Sequence, residues 1–464
     1  LSLVGSEMCI RDSFRPSYLQ IAKIREMIPQ APILALTATA TPEVVDDIQE
    51  RLHFAEKNVF KMSFERKNLA YVVRNTSNKQ GEMVHILQSV KGSAIVYARS
   101  RKRTKEMAEL LSKKGISATF YHAGLAPDEK DVRQKAWQAD EVRVMCATNA
   151  FGMGIDKPDV RMVIHIDCPD SLEAYFQEAG RAGRDGEKSY AVLLFDRSDE
   201  SKLKKRIDDT FPPKEMIQDV YEHLAYFYQI GVGSGCGKTF EFDIDKFCIT
   251  YKFFPTKVDS ALRILERSGY LHYEDDPDGK ARVMFLLGRN ELYILDQLPP
   301  TQEAVITALL RSYGSLFVDL TFIDEHLIAR QAELNIQQVY FALKNLAARH
   351  IIKFIPRRKI PFISYTRDRV DGNKVQIPQE VWEGRREQYM KRIQSMLQYA
   401  KNDEICRSRQ LLAYFGEHNE TKCQQCDVCL AKETEEKEKE FRRKIAEEEI
   451  IIEDLKVIEK RKDD

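Results

Sequence analysis

The order of short apolar runs and amphipathic helical runs between residues 63 and 200 constrains this chain more than anything else in it. SAIVYA at 93–98, ATFYHA at 118–123, VRVMCAT at 142–148, RMVIHID at 161–167 and SYAVLLF at 189–195 alternate with helical patterns at 102–114, at 127–138 and from Ser171, with Gly115 as a stop. Strands that stay apolar along their length are buried on both faces, so the order predicts an α/β domain with a parallel sheet covered by helices. A shorter piece of the same rhythm precedes it. APILALTATAT at 31–41 reads as a strand, and PEVVDDIQERL at 42–52 as a helix with Pro42 in its first turn. Residues 14–62 are thus expected to be a remnant of one α/β domain, and 63–200 a complete doubly wound domain. The leader LSLVGSEMCIRDS at 1–13 resembles translated adapter sequence and is set aside.

Past residue 200 the pattern changes to longer helices broken by short strands. Val258, Ala261, Leu262, Leu265, Leu271 and Tyr273 recur as Val339, Ala342, Leu343, Leu346, Ile352 and Phe354, always 81 residues apart. Each set is an amphipathic helix running into a strand, followed by a polar turn and a second apolar run, ARVMFLL or PFISY. A helix followed by a β-hairpin is the ending of a winged helix. Two winged-helix-like units in succession are expected, at 201–298 and 299–374; one α+β domain holding two unrelated helix–hairpin pieces fits the pattern as well. Between the last two apolar runs, Arg357, Arg358 and Lys359 form a basic turn suited either to DNA phosphates or to plain solvation. At 432–464, 23 of 33 residues are charged, which reads as a solvated helix or a tail without packed structure.

Composition adds limits. The 72 basic and 72 acidic side chains cancel, so net charge gives no vote for or against nucleic acid. No run approaches the roughly 18 apolar residues of a membrane span, so a soluble chain with no membrane partner is expected. Nine cysteines are too few for a disulfide scaffold and suit a reducing cytoplasm. Four of them, Cys406, Cys423, Cys426 and Cys429, stand at C-x16-C-x2-C-x2-C, which suits tetrahedral Zn²⁺ with all positions filled by protein, hence a structural ion. The expected zinc-binding subdomain is 375–431.

The sharpest string is QEAGRAGRDG at 177–186, where Gln177 leads into Arg181 and Arg184. Two guanidinium groups three apart, on one face if the segment is helical, can hold phosphate oxygens bidentately, as phosphoryl transfer requires. ATNAFGMGIDKPDVR at 147–161, YARSRK at 97–102 and YHAGL at 121–125 follow three of the strands. Thr148, Gly152, Gly154 and Asp156 are therefore expected at the carboxyl edge of the sheet, where ligands of such folds bind.

Together these strings resemble the RecQ family of superfamily 2 DNA helicases: LTATAT at 36–41 its motif III, SAIVYARSR motif IV, ATNAFGMGIDKPDVR motif V and QEAGRAGRDG motif VI. The cysteine pattern with LLAYFGE resembles that family's zinc-binding subdomain. The resemblance implies a RecA-like second motor domain of an ATP-dependent 3′–5′ helicase that unwinds DNA in recombination and repair. ATP and Mg²⁺ would lie between two motor domains, and single-stranded DNA and single/double-strand junctions would be the partners. By position, Gln177, Arg181 and Arg184 become catalytic, with Arg184 the arginine finger. Gly154 and Asp156 couple nucleotide to DNA, while Thr37, Thr39, Arg99, His122 and Thr148 line the DNA path. A bacterial cytoplasmic or nucleoid location follows.

The sequence also departs from the family. It contains neither a P-loop nor a DExH box, both needed for phosphate and metal. GVGSGCGKT at 231–239 has the wrong spacing and flanks, and DEVR at 140 and DEHL at 324 also fail. FRPSY at 14–18 resembles the family segment just after the DExH box, so the expectation is a helicase gene fragment that does not hydrolyse ATP by itself. The alternative is a non-catalytic DNA-binding protein in which the α/β domain only carries winged helices and a zinc module. In the commoner family order the zinc module precedes the winged helix; here it follows.

Overall fold

The computed structural model describes residues 28, 30, 32–37, 40–54, 56, 58–152, 155–274, 281–288, 298–314, 316, 317, 321–356 and 361–460. The chain divides into two compact units, 1–207 with 387–464, and 208–386.

The first unit begins with α1 (Pro42–Arg51), β1 (Leu69–Asn75), α2 (Lys79–Ser89), β2 (Ser93–Tyr97), α3 (Arg101–Lys113), β3 (Ala118–Tyr121), α4 (Pro127–Gln138), β4 (Val144–Ala147), β5 (Val160–His165), α5 (Leu172–Ala179), β6 (Ser189–Phe195) and α6 (Arg197–Thr210). The six strands form one sheet in the order β1-β6-β5-β2-β4-β3, and every pairing is parallel. Successive side chains feed two cores, as a strand covered on both faces requires. Ala94 and Val96 pack with Met83, Leu87, Met107 and Leu111 on one face. Ile95 and Tyr97 join Phe151, Tyr175 and Phe176 on the other. Sequence pattern does not announce β1 or α2: β1 ends in exposed Arg74 and Asn75, and α2 carries a glycine in its first turns.

One expected strand is not formed. Residues 32–37 are irregular, with Leu34 and Leu36 at 77% and 70% exposure. A strand is held by ladder bonds to a neighbouring strand, and 32–37 joins none of the three sheets formed by the described residues.

A buried ion pair ties the sheet's carboxyl edge together. Lys79 Nζ, on α2, donates to Asp199 Oδ2 at 2.5 Å and to the Ile166 carbonyl at 2.9 Å, while Asp199 also accepts from the Asp196 amide at 2.9 Å. Lys202 Nζ stands farther from Asp199, at 3.9 Å. Lys79→Met strands a buried carboxylate and is expected to lower unfolding free energy by about 3–5 kcal/mol, read by urea denaturation. Adding Asp199→Leu should return most of it; a single-variant loss of ~1 kcal/mol, the size of an exposed pair, would deny the clamp.

The second unit contains α7 (Lys214–Phe227), β7 (Thr239–Glu241), α8 (Ile244–Tyr251), α9 (Pro255–Arg267), β8 (Leu271–Glu274), β9 (Arg282–Phe285), α10 (Pro300–Ser312), β10 (Thr321–Phe322), α11 (Glu325–Gln331), α12 (Ile336–Ala348), β11 (Ile352–Ile355) and β12 (Phe362–Tyr365). The repeated helix–strand pieces are α9 with β8 and α12 with β11, but their partner strands are exchanged relative to the expectation. β8 pairs with β12, and β11 pairs with β9, both antiparallel. The two winged-helix-like modules are therefore nested, not successive at 201–298 and 299–374. The inner one, 281–356, is inserted into the hairpin turn of the outer one. Core membership decides the exchange: Val283 and Phe285 bury against Leu309, Ile328 and Leu343, whereas Ile363 and Tyr365 bury against Tyr221, Leu262 and Leu265. Both apolar runs have the same alternation, so local sequence does not distinguish the two pairings.

Val375 and Ile377, at the start of the segment expected to bind zinc, belong to the outer module's core. The chain rejoins the first unit in α13 (Arg385–Lys401), followed by α14 (Arg407–Tyr414) and α15 (Asp427–Lys460). Ile393, Met396, Tyr399, Leu411 and Phe415 share the core face that holds α5. The charged end of the chain is the continuation of α15, one helix of 34 residues, and its described side chains past Thr434 are exposed.

Candidate functional site

The arginine string does not continue α5 as a helix. The helix is capped by Gly180, and Gly183 turns the chain at φ +63°, where a Cβ would lie 2.6 Å from Asn68 Nδ2 and 2.7 Å from Ser189 Oγ. Arg181 and Arg184 therefore do not share a helical face. Arg181 is buried (7% exposed) beside Tyr97, and its Nε has no hydrogen-bond partner. Burial pushes the Tyr97 phenol up and the Arg181 charge pulls it partly back. A Cβ on Gly152 would come 3.1 Å from Arg181 Nη2, so the glycine leaves the guanidinium its space. Arg184 is more open and donates from Nη1 to Asp156 Oδ1 at 2.9 Å and to the Ile155 carbonyl at 3.2 Å. Gln177 is half-buried on α5. Gly154 lies outside the described residues.

Asp156 is not at the carboxyl edge as expected. The chain from β4 to β5 crosses the sheet face over β2, burying Phe151 and Ile155, and the loop then meets the start of β5 through Gly183 N to Val160 O (2.8 Å) and Asp185 N to Pro158 O (3.2 Å). Without a helix in this crossover, Gly152 and Asp156 stay beside the arginines.

Three residues missed by sequence reasoning support this region, two on the loop itself and one on the helix that leads into it. Arg66 donates to the carbonyls of Gly180 (3.2 Å), Ala182 and Gly183 (both 2.9 Å), and Asn68 Nδ2 to those of Gly183 (2.7 Å) and Glu187 (2.9 Å). His165, fully buried at the end of β5, places Nε2 2.9 Å from Glu178 Oε2 and stacks on Tyr97 at 5.3 Å between centroids. No spacing rule links Arg66 to a loop 114 residues away; only an unexplained polar FERKN before an apolar strand marks it.

At the carboxyl edge, Arg99, His122 and Thr148 follow β2, β3 and β4 as expected, yet Arg99 and Thr148 are engaged within the fold. Arg99 donates to Asp170 Oδ1 at 2.5 Å, and Asp170 also pairs with Arg206 and accepts from Tyr389 Oη at 3.2 Å. Burial raises the Asp170 carboxyl, and the two arginines more than offset it, leaving it below the usual carboxylate range. His122 stacks on Phe120 at 5.7 Å; burial and the nearby Arg101 charge hold its imidazole below the ordinary histidine value. Its Nδ1 is buried without a hydrogen-bond partner. Thr148 is buried and spends Oγ1 on the Ala150 amide at 3.4 Å. Thr37 is exposed on the irregular 32–37 segment. Thr39, and the basic turn Arg357, Arg358 and Lys359, lie outside the described residues.

The four cysteines are brought together: the Sγ atoms of Cys406, Cys423, Cys426 and Cys429 all lie within 4.8 Å of one another. Tetrahedral zinc with Zn–S of about 2.3 Å sets sulfur atoms ~3.8 Å apart, so a small contraction completes the site. Cys406 and Cys426 Sγ accept from the Cys423 and Cys429 amides, both at 3.4 Å, as thiolate ligands would. Arg407 braces the cluster by a forked pair to Asp427 and a bond to the Tyr399 carbonyl. The donor set fits a structural zinc ion. Cys146 and Cys168 are buried core thiols in the first unit.

The loop GVGSGCGKT is no phosphate cradle. Its amides at Gly233, Cys236 and Gly237 donate to the Arg369 carbonyl, Asp368 Oδ1 and the Tyr365 carbonyl. Asp324 caps α11, and Asp140 pairs with Lys157 at 3.0 Å.

Comparison with known proteins gives three family matches: a helicase conserved C-terminal domain at 78–186, a RecQ helicase winged-helix domain of Bacteroidota at 283–356, and a RecQ zinc-binding domain at 367–430. The winged-helix match coincides with the inner module. Among curated proteins, the chain is 42% identical to the RecQ-like DNA helicase blm-1 of Caenorhabditis elegans over 47% of this chain and 23% of the worm protein. It is 45% identical to the ATP-dependent DNA helicase RecQ of Bacillus subtilis over 40% of this chain and 32% of that protein. The RecQ of Pasteurella multocida is 42% identical over 41% of this chain and 30% of its own length. The chain thus spans a third or less of each of these three relatives. No helix among the described residues is long and apolar enough to cross a membrane.

Proposed function

We propose, on the premise that the chain belongs to the RecQ family of superfamily 2 helicases, that it forms the second motor domain, nested winged-helix modules and zinc module of an ATP-dependent 3′–5′ DNA helicase. The observation that carries this is the arginine loop. A buried guanidinium with an unpartnered Nε and a second, partly exposed one held by Asp156 stand in a loop whose carbonyls Arg66 and Asn68 already engage, so the loop offers an anion cations and not acceptors. Bound ATP supplies the γ-phosphate on which charge builds; Arg181 and Arg184 meet that charge, and Asp156 releases Arg184 to it. Mg²⁺ and the phosphate cradle require P-loop and DExH residues that these 464 positions do not contain, so the chain by itself does not turn over ATP. A bacterial cytoplasmic location, and single-stranded DNA and strand junctions as partners, follow from the same family reading.

A DNA-stimulated ATPase assay tests this: no turnover by the chain alone, turnover once a RecQ-type P-loop domain is joined ahead of Phe14. Continued inactivity of the joined protein, with DNA binding intact, would favour the non-catalytic DNA-binding reading. The basic turn contributes to the DNA grip. Replacing Arg357, Arg358 and Lys359 by alanine is expected to flatten the slope of log K against log salt by about 3, measured by anisotropy on a tailed duplex. An unchanged slope would reduce that turn to a solvated loop.

A further inference from the structure

Residues 63–69 are bonded both to the cysteine module and to the arginine loop. On one side, Glu417 accepts from Ser63 Oγ (2.8 Å) and the Phe64 amide (2.9 Å), and Gln425 Nε2 donates to the Lys67 (2.9 Å) and Leu69 (3.2 Å) carbonyls. Glu417 follows α14, which Cys406 caps, and Gln425 stands between Cys423 and Cys426. On the other side, Arg66 takes three loop carbonyls and Asn68 two. The Phe64 ring lies 5.1 Å from Phe415 and 6.1 Å from Phe176 of α5.

We propose that Arg66 is a positioning residue through which metal occupancy of the four-cysteine cluster sets the geometry of Arg181 and Arg184. The proposal rests on reading that loop as the phosphate-facing one. The loop begins where α5 ends, so its carbonyls lack helical partners and carry the negative end of the helix dipole. A planar guanidinium satisfies three of them at once, which an ammonium on a flexible stem does not match. Glu417 and Gln425 hold the strap only while the segment between Cys406 and Cys429 keeps its fold. In a cluster of four thiols that fold comes from the metal. Metal loss therefore frees 417–425, then 63–69, then Arg66, and the arginine loop loses its outer support.

Hydrogen exchange read by mass spectrometry on the zinc-loaded full chain tests this without any nucleotide, so its outcome is separate from that of the motor reading. Chelating the zinc is expected to speed amide exchange at 180–187 by about tenfold, the scale of one or two lost hydrogen bonds. Arg66→Ala should do the same with zinc retained, chelation should then add little more, and Arg66→Lys should fall between. Exchange in β2 serves as the control for global unfolding. Where chelation disturbs β2 as well, the zinc-retaining double variant Glu417→Gln with Gln425→Ala decides, and it too should speed the loop. A loop indifferent to chelation, a full zinc effect persisting in Arg66→Ala, or an unaltered loop in the double variant would each overturn the proposal.

Discussion

In a protein that joins this chain to a RecQ-type P-loop domain, Arg184→Ala is expected to lower the DNA-stimulated kcat for ATP by about 10³–10⁵-fold while moving KM much less. The asymmetry follows from where the side chain sits. Arg184 is about a third exposed and bonded to Asp156, itself 81% exposed, so its removal leaves no buried hole and no stranded buried charge. Its loss is therefore paid in the transition state, where charge on the transferred phosphoryl group peaks, and hardly in folding or ground-state binding. Arg181 is different. At 7% exposure, packed beside Tyr97 and Gly152, its removal also opens a cavity, so Arg181→Ala should lower both turnover and thermal stability. Arg184→Lys keeps the charge without the fork and should recover only part of the rate. A fall of less than ~10-fold for Arg184→Ala, against the minimum above, would remove it from the role of arginine finger.

What the sequence makes legible here depends on whether the signal is local. The parallel sheet is readable because strands buried on both faces are apolar throughout, and β6 at Ser189–Phe195 and α4 at Pro127–Gln138 fall where pattern alone puts them. The cysteine cluster is readable because its ligands share a short stretch with fixed spacing. By contrast, the 31–41 run has the composition of a strand, yet its described residues 32–37 do not form one, because composition supplies no neighbour. The nested modules defeat a linear reading for a related reason: β9 and β12 are interchangeable as local text, and only the helices they cover, α10 to α12 or α7 to α9, tell them apart. Arg66 and Asn68 act across the fold on a distant loop, so nothing near them in the chain announces the role. Arg99 is the converse case. Pattern puts it at a strand end, where it stands, but the sequence says nothing of Arg206 and Tyr389 converging with it on the Asp170 carboxylate.

The metal carries the other large effect. Zinc analysis should find about one equivalent per chain, and Cys426→Ser, at a thiol with no solvent exposure, should abolish it. The binding free energy of such sites is of order 10–16 kcal/mol and is in large part folding free energy, so the variant is expected to lose the fold of 406–429 outright. The loss should spread, because Phe415 packs on Phe64 and Phe176 at 5.1 and 4.9 Å, and Gly416 leaves room for Pro42 where a Cβ would lie 2.6 Å from its Cγ. Deleting the Phe415 contacts alone is worth about 3–5 kcal/mol by analogy with buried Phe→Ala changes, enough for a fall in Tm of several degrees. Cys236→Ser, at an exposed thiol in the second unit, is the matched control and should leave zinc content and Tm unchanged. Retention of zinc and of the wild-type melting curve by Cys426→Ser would mean that the four sulfur atoms converge for packing alone.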